Sequence, residues 1–155
     1  GIVTRAVYDE PFRVVLPSDH AWLKDKEIPT ARVGEADVLL LTSGNCFRDQ
    51  VLQACPLLNR SSNGIQKTLE GSSLETIRYM VASGAGISVL PVGALGESPR
   101  ERALLAVRPF RGTAPFRQVA LASRTGFFRP RAIEILAQAI TDCAPSATGS
   151  SSAFG

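Results

Sequence analysis

VLLLTSGNCFRDQVLQACP, residues Val38 to Pro56, decides how the chain is read. Its first five residues form an unbroken apolar run that suits a parallel strand buried on both faces. The run ends in a small-residue turn, Ser43-Gly44-Asn45, followed by a segment free of Gly and Pro. Phe47, Arg48, Gln50, Leu52, Gln53 and Ala54 are all acceptable or good helix formers. Asn45 is placed to cap this helix and Pro56 to stop it. A strand that ends in such a turn and then a helix is where open α/β sheets bind ligands.

The segment holds two of the three cysteines, Cys46 and Cys55, 55 − 46 = 9 positions apart. Cys46 falls in the first turn of the expected helix, where unbonded N–H groups and the helix dipole favour an anion. The thiolate is the reactive form of cysteine. Nine helical steps separate the two Cα atoms by about 13.5 Å and turn the side chains to opposite faces. A disulfide needs Cα atoms about 4.4–6.8 Å apart. The segment can therefore be helical or bridged, not both, and oxidation would have to unwind it. The alternative at this point is two unrelated buried cysteines, since free Cys is often only a small hydrophobe.

The stretch GNCFRDQVLQAC resembles the redox segment of OxyR-type peroxide sensors, a branch of the LysR-type transcriptional regulators. The cysteine spacing and the Cys-x-Arg-Asp-Gln run carry that resemblance. EGSSLETIRYMVASGAGISVLP (Glu70–Pro91) and DEPFRVVLPSDHAW (Asp9–Trp22) resemble other pieces of the effector domain in the same branch. The similarity runs in order from about Ala6 to Cys143. It implies a periplasmic-binding-protein-like α/β domain, with one full subdomain and part of the second. On that reading residues 1–8 form a crossing strand, 9–115 the subdomain with the redox cysteines, 116–144 the C-terminal part of the other subdomain, and 145–155 a disordered tail. The chain opens on Gly1 rather than Met, as expected of a piece of a longer protein. The first half of the other subdomain and the DNA-binding helix-turn-helix are expected to lie outside this sequence.

The resemblance implies roles. Cys46 is the peroxidatic thiolate and Cys55 the resolving thiol. Thr42, Gly44, Asn45 and Asp49 would bind peroxide or steady the thiolate, and Arg117, in APFRQVALASR, would supply a cation. Asp49 and Arg117 have plainer readings as surface charges. The branch usually has His where this chain has Asn45, which can hydrogen-bond but cannot take up a proton in the same way. Implied partners are hydrogen peroxide, a second copy of the chain (dimer or tetramer), a glutaredoxin- or thioredoxin-type reductant and, only through the full-length protein, promoter DNA and RNA polymerase. No cofactor or metal is implied and no enzymatic turnover. The alternatives are a thiol peroxidase and an effector domain for a small organic ligand held by Ser43–Asn45 and Ser72–Ser73.

The rest of the chain bounds these readings. At 155 residues with 45% hydrophobic and 20% charged content, one ordinary globular domain is expected. A net charge of +3 with no Lys/Arg block marks no nucleic-acid surface. No apolar run spans a bilayer and no signal peptide opens the chain, and an odd cysteine count points to a reducing, cytoplasmic compartment. The single histidine, His20, argues against Cys/His zinc sites and reads as a surface or capping residue rather than a catalyst. Strands are expected at 2–8, 11–16, 38–42, 65–70, 87–90, 104–107 and 119–123. Loops are expected at 17–30 and 57–64, with Trp22 anchoring the first. Ser72 and Glu75 form a capping box for a helix to about Ser83, whose apolar side is Leu74, Ile77, Tyr79, Met80 and Val81. Pro130 opens a final helix on which Ile133, Leu136, Ile140 and Cys143 share a face, so Cys143 reads as structural. Val119–Leu121 and the last helix are expected to expose apolar surface.

Overall fold

The computed structural model describes residues 1–60, 70–96 and 103–144. The tail beyond 144, most of the expected strand at 65–70 and part of the turn-rich segment after Pro91 lie outside them. The chain divides into two compact units, Pro11–Pro115 and Gly1–Glu10 with Phe116–Gly155.

The larger unit is built on a mixed sheet, in keeping with the α/β domain that the resemblance implies. The strand β1 (Ile2–Pro17) is continuous where the sequence suggested two pieces, because Asp9–Pro11 adopts extended backbone rather than a turn. Pro11 ends no pairing there: the register with β4 (Ile87–Pro91) begins at Phe12 opposite Pro91 and is antiparallel. On its other edge β1 pairs antiparallel with β5 (Leu105–Arg108), Val14 facing Arg108. β2 (Val38–Leu41) lies parallel to β4 and to the short β3 (Glu70–Gly71). The order is β3-β2-β4-β1-β5. Val14, Val15 and Leu16 are buried in succession, and so are all four residues of β2 and all five of β4. Strands covered on both faces read as continuous apolar runs for this reason.

Helices and helical turns connect the strands. The loop after β1 contains a 3-10 turn, Ala21–Lys24, whose first N–H groups are met by His20: its Nδ1 accepts from Trp22 N at 3.1 Å. Trp22 packs its ring on the core and carries Arg32 over its face at 4.5 Å. α1 (Thr30–Val33) follows, then α2 (Cys46–Ala54) and α3 (Leu57–Arg60). Residues 57–60 are thus a helical turn and not the expected loop; Leu58 N–H donates to Cys55 C=O at 3.0 Å and starts it. α4 (Leu74–Ala82) is capped by Ser73, whose Oγ accepts from Thr76 N at 3.1 Å. The cap sits one residue later than expected, which puts Thr76, not Glu75, at the third helical position. Ile77 and Val81 are buried as expected, whereas Tyr79 is 55% exposed. Gly84 ends the helix at φ 80°, a conformation that suits glycine.

In the smaller unit β6 (Phe116–Arg124) pairs with β1, and Thr125 N–H donates to Gly1 C=O. α5 (Pro130–Cys143) starts on Pro130 as foreseen. Its Ala137 is buried and Thr141 Oγ1 donates to the carbonyl oxygen of Ala137 at 2.9 Å. The face expected to pack is half open: Leu136 is 48% exposed, and Cys143 is exposed, so it is not a core residue. Periodicity identifies an apolar stripe but not what covers it. Val119 and Leu121 are half-buried on a strand that alternates in exposure along its length.

Candidate functional site

β2 carries the chain from the core to the surface, and the site is built where it emerges. Thr42, Ser43, Gly44, Cys46 and Asp49 are exposed and Asn45 is half-buried. Asn45 N–H returns to Thr42 C=O at 3.3 Å, closing a turn whose third residue is Gly44 at φ 87°. A Cβ there would meet strain although nothing stands within 4 Å of it. Asn45 then caps α2 through Oδ1, which accepts from Phe47 N at 3.0 Å. Its oxygen is thereby committed, and the amide nitrogen is the end left to donate. Five of the residues singled out from sequence (Thr42, Gly44, Asn45, Cys46 and Asp49) are thus brought to the carboxyl end of one strand by a turn and a capped helix.

The two cysteines occupy opposite ends of α2. Cys46 is its first residue, exposed; Cys55 is its C-cap, 1% exposed; both are free thiols. Phe47 and Val51, one turn apart, anchor the buried face, with the Phe47 ring 6.0 Å from that of Phe12. Cys55 is held by main chain at both sides: its N–H donates to Val51 C=O at 2.8 Å and its C=O accepts from Leu58. Burial pushes the Cys55 thiol up from the ordinary 9.0 to about 11. The helix therefore presents one accessible thiol and one sealed one.

From sequence Arg48 reads as a helix former and as part of the Cys-x-Arg-Asp-Gln run, with no partner indicated. Its Nη1 donates to Leu41 C=O and to Glu70 Oε1, both at 2.8 Å. Its partners come from the end of β2 and the start of β3, and no local pattern joins residues 22 positions apart. Gln50, one turn after Cys46, keeps its Oε1 buried with no hydrogen-bond partner among the described residues. Arg117 lies on β6 in the smaller unit, where its Nε donates to Glu10 Oε2 at 2.6 Å; Glu10 is only 3% exposed. Ser72–Ser73 belongs to the start of α4. Among the described residues no three His, Cys, Asp or Glu side chains gather into a metal-binding group, and no helix is long and apolar enough to cross a membrane.

Residues 1–144 match the family described as LysR substrate binding domain. A curated relative from Streptomyces viridosporus, named "Probable hydrogen peroxide-inducible genes activator", is 37% identical over 143 residues, covering 92% of this chain and 45% of its own. This chain therefore spans about half the length of the curated relatives it matches. "The structure of a reduced form of OxyR from N. meningitidis" superposes with a TM-score of 0.79 at 46% identity, covering 91% of this chain and 65% of the other. An OxyR structure titled as the oxidized form superposes with a TM-score of 0.67 at 28% identity, covering 91% and 65%.

Proposed function

The chain belongs to the LysR substrate-binding domain family, and on that premise we propose that it is the redox-sensing part of a hydrogen-peroxide-responsive transcriptional regulator. The observation that carries this reading is the pair of unbridged thiols at the two ends of α2, one exposed and one buried. A relative named "Probable hydrogen peroxide-inducible genes activator", and separate OxyR structures of reduced and oxidized forms, support it.

The chemistry runs in two balanced steps. The Cys46 thiolate attacks one oxygen of hydrogen peroxide; the O–O bond breaks, the sulfur becomes a sulfenic acid and the departing hydroxide takes a proton as water. Cys46 is the first residue of α2 and is exposed, so peroxide can reach its sulfur. Gly44 lets the turn bring Thr42 and the Asn45 amide beside it as donors, and Asp49, one turn along, accepts from the peroxide. Arg117 is the candidate cation, and Arg117→Met should slow the first step without abolishing it. In the second step the Cys55 thiol attacks the Cys46 sulfur; an S–S bond forms, the S–O bond breaks and water leaves. α2 must unwind for this, because about 13.5 Å of helix has to close to about 4.4–6.8 Å. A ring of about ten residues restricts the open chain by roughly 2.7 kcal/mol, enough to hold such a rearrangement.

On this proposal the chain is a stoichiometric sensor in the cytoplasm and turns over no substrate. A thiol reductant resets it, and promoter DNA and RNA polymerase are met only by the full-length, oligomeric protein. The test is a graded peroxide dose followed by peptide mass mapping. About one equivalent per chain should join Cys46 to Cys55, and Cys46→Ser should abolish the reaction. Many equivalents consumed with a thiol reductant would mark a peroxidase. Stabilisation by a small metabolite, with no response to peroxide, would mark an effector domain of another kind.

A further inference from the structure

We propose that Arg48 and Glu70 form a clasp that sets the oxidant threshold of the thiol pair, by stabilising the wound form of α2 alone. The proposal rests on the redox reading above and names a control within it. Arg48 Nη1 bridges two acceptors at 2.8 Å, the Leu41 carbonyl at the end of β2 and the Glu70 carboxylate at the start of β3. Those two strand ends are already joined, since Leu41 faces Gly71 and Thr42 N–H donates to Gly71 C=O at 3.2 Å. The guanidinium thus fastens the Cys46 turn of α2 to a fixed corner of the sheet. The Arg48 side chain is 19% exposed and that of Glu70 35%, so solvent weakens the pair without cancelling it.

Arg48 lies inside the ten-residue ring that a Cys46–Cys55 bond would close. Its guanidinium reaches Leu41 and Glu70 from the first turn of the helix. Closing the ring removes that turn, so the two bonds belong to the dithiol form and oppose oxidation. Arg48 is a positioning residue on this account, acting through the helix on Cys46 and touching no peroxide. A side chain that only added to general stability would shift melting without shifting the thiol–disulfide balance.

The experiment equilibrates the 155-residue chain in mixtures of reduced and oxidised glutathione and measures the Cys46–Cys55 bond by mass. In this exchange one oxidised glutathione becomes two reduced molecules as the protein dithiol becomes a disulfide. Arg48→Met should shift the equilibrium constant about tenfold toward the disulfide, the size of one charge-assisted hydrogen bond discounted for exposure. Glu70→Gln, which changes only a surface group, should shift it about threefold. The double variant should shift no further than Arg48→Met, because both changes open the same contact. Should Arg48→Met fail to fold, Glu70→Gln alone decides, since its shift is required. Wild-type midpoints in both variants, with the bond forming normally, would overturn the clasp and leave the redox reading standing. A wild-type chain that forms no such bond overturns both.

Discussion

Cys55 should be chemically silent until α2 opens. The thiol is 1% exposed, and its titration is displaced from 9.0 to about 11 by burial alone. Near neutral pH its thiolate fraction is therefore roughly a hundredfold below that of an ordinary cysteine, and roughly 3 kcal/mol separates the two. In the dithiol protein, iodoacetamide should modify exposed Cys46 promptly and Cys55 at least about a hundredfold more slowly. Val51→Ala is the informative perturbation. Val51 is fully buried one turn before Cys55, and its carbonyl holds the Cys55 N–H. Losing its methyl groups costs about 2 kcal/mol and raises the opened population roughly thirtyfold. Cys55 labelling should accelerate by about that factor while Cys46 labelling stays unchanged, read by intact mass and peptide mapping. Because the folded titration is raised, the thiol's contribution to stability is full below pH 9 and lost as pH rises through about 11. Two equally reactive cysteines, or a Val51→Ala chain that labels like wild type, would refute the reasoning.

Two further expectations concern the frame. Ser73→Ala should cost about 1 kcal/mol in a denaturant melt and Ser72→Ala close to nothing, because only Ser73 caps α4. His20 should make stability fall in acid: burial, and then the Arg32 charge, lower its titration against the opposing pull of Asp19. Its cap on Trp22 N is fully present above about 6.5 and is lost as pH falls below that, so His20→Gln should flatten the melting temperature between about pH 8 and about pH 5.

What could be read from sequence was what short-range chemistry decides. Val38–Leu41 is a buried strand because every residue in it is apolar, and α2 is bounded by its Asn45 cap and by Cys55, just before Pro56, because caps and stops act over one turn. Pro130 opens α5 on the same ground. The errors lie where two local choices are equal or where a distant partner decides. Ser72 and Ser73 are both competent caps, and the packing of Ile77 and Val81 selects the second. Tyr79 and Cys143 have apolar helical spacing but no cover. Within the candidate site, the turn and both cysteines were visible in one contiguous string, whereas Arg48 gains its meaning from Glu70, across a stretch of chain no periodicity spans.

Cys55 also joins two helices through its own main chain, the last bond of α2 entering at its nitrogen and the first bond of α3 leaving from its oxygen. Drawing that residue out has to break both bonds as well as unbury the sulfur. On the proposed reading, a Cys46 sulfenic acid that a thiol reductant returns to the thiol before α2 opens leaves no disulfide, and only one that outlives the wait for opening is recorded.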